Sequence, residues 1–176
     1  MPQRSLMFRT QTWVTSKASP EVVYDVIADL PAHLEWSGER ASDDGFKLLS
    51  LEAPAGTAVV GTRFTSSGSA GNDTFNDRSV VTDASRPTRF VIETDARLER
   101  KHGRPWEAHF SHRYDVLPDG AGSRIVYTEI VETVNYLPYW LKPWARPLFR
   151  PIVNRADRKQ LQNLARLAEE RSAGQS

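Results

Sequence analysis

The sequence predicts an α+β chain: one strand, two short helices, a run of antiparallel strands and a long C-terminal helix, with about seven strands in all. Three observations carry this. Strand-like stretches rich in Val, Ile, Thr, Phe and Tyr follow one another through the middle of the chain. The breaks between them are too short for crossover helices, so neighbouring strands must run antiparallel. Helical periodicity is confined to the two ends. The 176 residues are expected to form a single domain over 1–176, long enough to bury a sizeable core without staples.

The opening stretch Phe8–Ala18 is strand-like, and Ser19-Pro20-Glu21 then supplies an N-cap, a first-turn proline and a first-turn acid. Val22, Val23, Val26, Ile27 and Leu30 follow at three- and four-residue spacing, and Pro31–Trp36 reads as a second short helical turn. Six strands are predicted next, at Phe46–Glu52, Thr62–Ser67, Asn76–Ala84, Phe90–Leu98, Trp106–Leu117 and Arg124–Val134. The polar stretch Ser66–Asp73 between two of them reads as a mobile loop. Along the sixth strand of the chain, Trp106, Ala108, Phe110, His112, Tyr114 and Val116 share one face, and Glu107, His109, Ser111, Arg113 and Asp115 the other. The first face is expected to be buried and the second wet.

Composition shifts after Asn135. Tyr136–Pro151 holds four of the 11 prolines and five of the 17 aromatic residues, and Pro143, Pro147 and Pro151 recur every four residues. A regular helix is not expected there. Beyond Pro151 a helix of about 20 residues is predicted, roughly 30 Å long. Its apolar stripe is Val153, Ala156, Leu161, Leu164, Leu167 and Ala168, with Arg155, Arg158, Lys159, Arg166 and Glu170 off it. The tail from Asn135 carries eight Lys/Arg against three Asp/Glu, a net +5; the rest carries fifteen against nineteen, a net −4.

These features exclude several classes. Without cysteine there is no disulfide framework, thiol nucleophile or cysteine-ligated metal. A net charge of +1 is too small for a whole-surface nucleic-acid footprint, so no nucleic-acid partner is expected. Phosphate-cradling loops of the GxxxxGK[ST] or GxGxxG type and the GxSxG nucleophile turn are missing. Met1–Met7 has no apolar core of a signal peptide, and no run approaches about 20 apolar residues, which makes the cytoplasm the expected compartment.

Four stretches then carry a resemblance. Ala18–Leu30 (ASPEVVYDVIADL) followed by Trp36, Val60–Phe64 (VGTRF), Arg86–Val91 (RPTRFV) and Asp119–Tyr127 (DGAGSRIVY) stand in the order and spacing of one family. In these the chain resembles the START/polyketide-cyclase-like superfamily (SRPBCC), whose architecture is the helix-grip fold. The resemblance implies a strongly curved sheet wrapped around the long C-terminal helix, with a mostly apolar cavity between them. It implies binding of lipids, sterols, quinones, polyketides or aromatic compounds, and in some members cyclase or dehydratase chemistry. It assigns no catalytic residue, because the family does not share one.

Within that frame the residues themselves nominate a site. On a strand, the odd spacing of His109 and His112 points them to opposite faces, and with His33 and His102 expected in loops no metal site is predicted. His112 lies on the apolar phase between Phe110 and Tyr114. It is either a satisfied core histidine or a cavity-wall donor, acceptor or general acid/base. Glu129 shares a phase with Ile125, Tyr127 and Val131, but the alternate phase Val126, Thr128 and Ile130 is nearly as apolar, so either can face inward. Asn76 and Arg78 are further candidates, weighed against a solvated surface. Asp157 and Gln160 interrupt the apolar stripe of the long helix, as they would beside a ligand or at a frayed edge.

The leading expectation is a binding protein for a hydrophobic or aromatic small molecule, without a cofactor. Its candidate ligand-binding residues are Trp106, Phe110, His112, Tyr114, Tyr127, Glu129, Trp140, Trp144, Asp157 and Gln160. The alternative is a cyclase/dehydratase-type enzyme with His112 or Glu129 as catalytic acid/base. A third reading makes segment 136–149 a membrane or partner-docking element through Trp140 and Trp144 beside Lys142 and Arg146. A cap over the cavity mouth or a homodimer patch is preferred for that segment.

Overall fold

The computed structural model describes residues 6–41, 46–134 and 142–174, with side chains described for 9–41, 46–132 and 154–174. Strand β1 (Leu6–Ser16) leads into helix α1 (Pro20–Ala28), a 3-10 turn (Leu30–Ala32) and a π-helical turn (Glu35–Glu39). Six strands follow: β2 (Phe46–Glu52), β3 (Arg63–Ala70), β4 (Asp73–Ser85), β5 (Arg89–Glu99), β6 (Trp106–Asp119) and β7 (Gly122–Val134). Helix α2 (Lys142–Ala173) closes the chain. All pairings are antiparallel, in the order β1-β7-β6-β5-β4-β3-β2. This is the helix-grip arrangement that the sequence predicted.

Local chemistry explains the elements. Ser19 caps α1 by accepting the Val22 N–H, and Pro20 occupies a first-turn position where its missing donor costs nothing. Register shifts interrupt the ladders at Leu6/Phe8, Leu48/Ser50, Val81/Asp83 and Ala108/His109, and such bulges bend strands and increase their twist. The sheet therefore curls, with α1 and α2 on its inner face. Because β1 and β2 form opposite edges, the chain crosses the whole sheet between them, and α1 with its two following turns makes that crossing.

The core sits at one end of this grip. Val23, Val26, Ile27 and Leu30 from the α1 region meet Leu161, Leu164, Leu167 and Ala168 of α2 over Phe90, Val116 and Ile125 of the sheet. Asn163, also buried, donates to the carbonyls of Trp36 and Arg40 and so fastens the π-helical turn to α2. Arg171 adds an ion pair to Asp29 at 2.9 Å.

Several expectations are corrected. Ser66–Asp73 is not a mobile loop but the body of the β3–β4 hairpin, turning tightly at Gly71, whose φ of 62° suits glycine. Its polar look misleads because Gly68 must lack a side chain. A Cβ there would meet the Lys47 carbonyl oxygen and the ring of Phe75, which itself stacks on Phe46. Nor do the prolines prevent helix: α2 begins at Lys142 and runs 32 residues, about 48 Å rather than 30 Å. Pro143 lies in the first turn, where no N–H is needed. Spacing of four then aligns the donors missing at Pro147 and Pro151 with the carbonyls of Pro143 and Pro147, so the lost bonds run along a single line of the helix.

Ala156 is exposed rather than part of the buried stripe. Seven residues on, the same flank of α2 carries Asn163 beneath the π-helical turn, whereas at Ala156 no described element covers it. His33 is not in a loop. It lies buried in the turn after α1, and its Nε2–H donates to the Ile27 carbonyl at 2.8 Å. The second short helical segment extends past Trp36 to Glu39. Residues 135–141, with Tyr136 and Trp140, lie outside the described residues, as does the side chain of Trp144 on the first turn of α2.

Candidate functional site

Consecutive strands of the curled sheet form cross-strand rungs, and two inner-face rungs hold four of the predicted site residues. In one, Tyr114 of β6 pairs with Tyr127 of β7; in the next, His112 pairs with Glu129, and Glu129 with Thr10 of β1. Glu129 therefore faces inward, with Ile125, Tyr127 and Val131, which resolves the ambiguous phase of β7. Thr128, on the other phase, is buried against Gln11 on the outer face, whose Nε2 donates to its hydroxyl at 3.1 Å.

These side chains converge. His112 Nδ1 and the Tyr127 hydroxyl share a hydrogen bond of 2.7 Å, and Glu129 Oε1 stands 4.0 Å from the same nitrogen. The Phe110 ring stacks on His112 at 5.7 Å, and Tyr114 lies 5.0 Å from Tyr127. From α2, Asp157 accepts a hydrogen bond from Thr10 at 3.4 Å, which brings a second carboxyl to the rung of Glu129. Gln160 lies half-buried one turn further along α2. Trp106 sits three rungs from His112, with the Arg100 guanidinium 4.7 Å from its ring centre.

Burial tunes the titratable groups. Desolvation, and then the neighbouring histidines, pulls His112 down to about 4, so it is neutral at pH 7. Desolvation pushes both Glu129 and Asp157 above the usual carboxylate range; the charge of Asp157 raises Glu129 further, and the Thr10 hydrogen bond partly opposes the shift of Asp157. The tyrosine hydroxyls of 114 and 127 are raised by burial and by the same two carboxyls. Yet the His112 side chain is still 24% accessible, and Phe110 and Trp106 are only half-buried. This end of the inner face is not close-packed as the core is.

Sequence reasoning missed four contributors. Thr10 holds Asp157 in place; it lay on the inward phase of β1, readable from strand alternation. His33 and Trp36 back the site from the turns after α1, with Trp36 edge-on to Tyr114 at 6.4 Å. Asp77, unlike Asn76 and Arg78, points inward from β4; burial raises its carboxyl to about 7. Asn76 and Arg78 are exposed on the outer face, as the solvated-surface reading required.

His109 and His112 do face opposite sides of the sheet. The outer face is less wet than expected there: His109 is 8% exposed because Asp95 and Glu93 bracket its ring, each 2.8 Å from a different nitrogen. Bound on opposite edges of the ring, these groups do not converge on one point. Beside them lies an open cleft of about 720 Å³ lined by Arg63, Arg78, Glu93, Asp95 and His109. Within it Glu93 and Asp95 are engaged by His109.

Comparison with known proteins agrees with the architecture. Mll3558 from Rhizobium loti superposes with a TM-score of 0.63 at 18% identity, over 93% of this chain and 97% of its own. A conserved protein from Geobacillus kaustophilus gives 0.66 at 12%, over 93% and 96%. DynU16, a putative protein of the dynemicin biosynthetic locus, gives 0.51 at 12%, with 92% of this chain covering 47% of that one. No curated protein sequence matches the chain. Residues 7–169, spanning β1 to the last turns of α2, match the family model described as polyketide cyclase/dehydrase and lipid transport, and the chain belongs to that family.

Proposed function

We propose that the protein binds a hydrophobic or aromatic small molecule between the inner face of the sheet and the N-terminal half of α2. The observation that carries this reading is the half-open polar rung. His112, Tyr127, Glu129 and Asp157 converge on the inner face beside the rings of Phe110 and Tyr114, where the side chain of His112 remains 24% accessible. In a solid core such groups would be costly and would be packed or paired. As a site, the apolar walls supply affinity and the polar rung orients the ligand. Membership of a family of cyclases, dehydrases and lipid carriers supports the same reading. Titration with N-phenyl-1-naphthylamine, a fluorescent apolar probe, tests it. Saturable binding is expected, and Ala108→Trp, which fills inner-face space beside Phe110, should abolish it. Absence of saturable binding, or unchanged binding in Ala108→Trp, refutes the reading.

A second reading, an enzyme acting beside a carbonyl, is favoured by one specific observation. His112 is held neutral while Glu129, 4.0 Å away, keeps its proton towards neutral pH. A base and an acid separated in this way by environment is the arrangement proton transfer needs. His112 would take a proton from the carbon next to a carbonyl, and Glu129 would donate one to the carbonyl oxygen, giving an enol. Exchange of the α-protons of 2-tetralone into deuterium oxide tests this. His112→Ala should abolish exchange while weakening N-phenyl-1-naphthylamine binding only modestly. Exchange no faster than in buffer removes the reading.

A further inference from the structure

The inner-face site also indicates what its ligand carries, an inference that rests on the binding reading above. Glu129 is 9% exposed and accepts no hydrogen bond among the described residues; His112 Nδ1, 4.0 Å away, is already engaged by Tyr127. Asp157 has one hydrogen bond, a long one from Thr10. Since Thr10 and Glu129 are direct cross-strand partners, the strand carboxyl and the helix carboxyl reach the same space. Among the described residues no Lys or Arg pairs with either. Asp115, comparably enclosed on the outer face, shows the ordinary solution: Arg89 and Arg113 hold it at 2.8 and 2.6 Å.

Two enclosed carboxyls with no cation beside them among the described residues are unfavourable unless something positive reaches them or they take up protons. The walls around them are ring faces, from Phe110, Tyr114 and Tyr127, and such faces attract cations as well as apolar bodies. A carboxylate-bearing ligand would meet repulsion here, and a neutral one would leave the carboxyl pair uncompensated. We propose that the site takes an amphiphilic amine, its ammonium seated between Glu129 and Asp157 and its aromatic or aliphatic body lying along Phe110 and the two tyrosines. Binding then displaces a proton held by the carboxyl pair. Affinity rises as the pair ionises, so long as the amine stays protonated.

Calorimetric titration with three matched probes decides the point: 1-naphthylmethylamine, 1-naphthylmethanol and 1-naphthoate, at pH 7 in phosphate and in Tris. The amine should bind about tenfold or more tightly than the alcohol, and the naphthoate more weakly than either. The difference in heat between the buffers should show proton release for the amine and none for the alcohol. Glu129→Gln with Asp157→Asn should keep alcohol binding, which reports an intact fold, and lose both the amine preference and the proton release. If the alcohol binds as well as the amine in the unmodified protein, the cation inference falls while the apolar-ligand reading stands. If none of the three binds, both fall.

Discussion

The two ends of the contact between α2 and the sheet are built differently. At the C-terminal end Leu161, Leu164, Leu167 and Ala168 interlock with α1, Phe90, Val116 and Ile125, and almost no surface remains exposed. Some 10 Å nearer the N-terminus, at 1.5 Å per residue, the same helix presents Asp157 to a rung of His112, Glu129 and Thr10 that is neither close-packed nor fully paired. The last four turns of α2 hold the sheet and the α1 region together, and the turn before them carries Asp157 to the polar rung.

The largest effect should come from the packed end. Leu164→Ala should lower stability by about 2–5 kcal/mol, as cavity-forming changes in solid cores do. Urea unfolding measures it, and a loss below about 1 kcal/mol would show that this end is not close-packed. The next effect concerns acid. His33 is buried at the junction of α1 and the site, and burial holds it down to about 4 from 6.5. A depressed pKa means that the neutral form is favoured in the fold. The associated stability is present above pH 6.5 and is lost as pH falls towards 4, up to about 3 kcal/mol. His33→Gln should flatten stability across that window in part, because His112 is depressed in the same direction and keeps its own share.

At the open end the sign reverses. Glu129 and Asp157 are raised, so their contribution is present below the ordinary carboxylate range and is lost as pH rises through their elevated values. Glu129→Gln should match the parent near pH 4 and exceed it in thermal stability at pH 8. A variant less stable than the parent at pH 8 would mean that the carboxylate is paired after all. The smallest effect belongs to the far side of the helix. Arg166→Ala, on the exposed flank, should change urea stability by no more than about 0.5 kcal/mol. Equal losses for Arg166→Ala and Leu164→Ala would overturn the assignment of the helix faces.

How far the sequence revealed this contrast follows from the physics of each segment. Strand alternation is a local signal, so the inner phase of β6 and the grouping of Phe110, His112 and Tyr114 were legible in it. The phase of β7 was not, because both of its faces are apolar; Thr128 is buried against β1 on the outer side. Only pairing with β1 and β6 places Glu129 inside. Contributions made across long sequence distances stayed hidden. Thr10 meets Asp157, and Asn163 meets Trp36, through contacts that no local pattern encodes. Tertiary contact also overrides the local reading at Gly68, where a run of small polar residues is strand because Phe75 occupies the space above the glycine. The four-residue proline repeat misled for a different reason: the general rule against proline in helices takes no account of where the lost bonds fall.

The proposed ligand site is on the inner face and not the outer, and the two histidines of β6 report on the two faces side by side. In a nitrogen-15 NMR titration with N-phenyl-1-naphthylamine, the imidazole resonances of His112 should shift saturably while those of His109, held between Glu93 and Asp95, stay in place. Shifts confined to His109, or no saturable shift at His112 as the probe binds, would contradict the account.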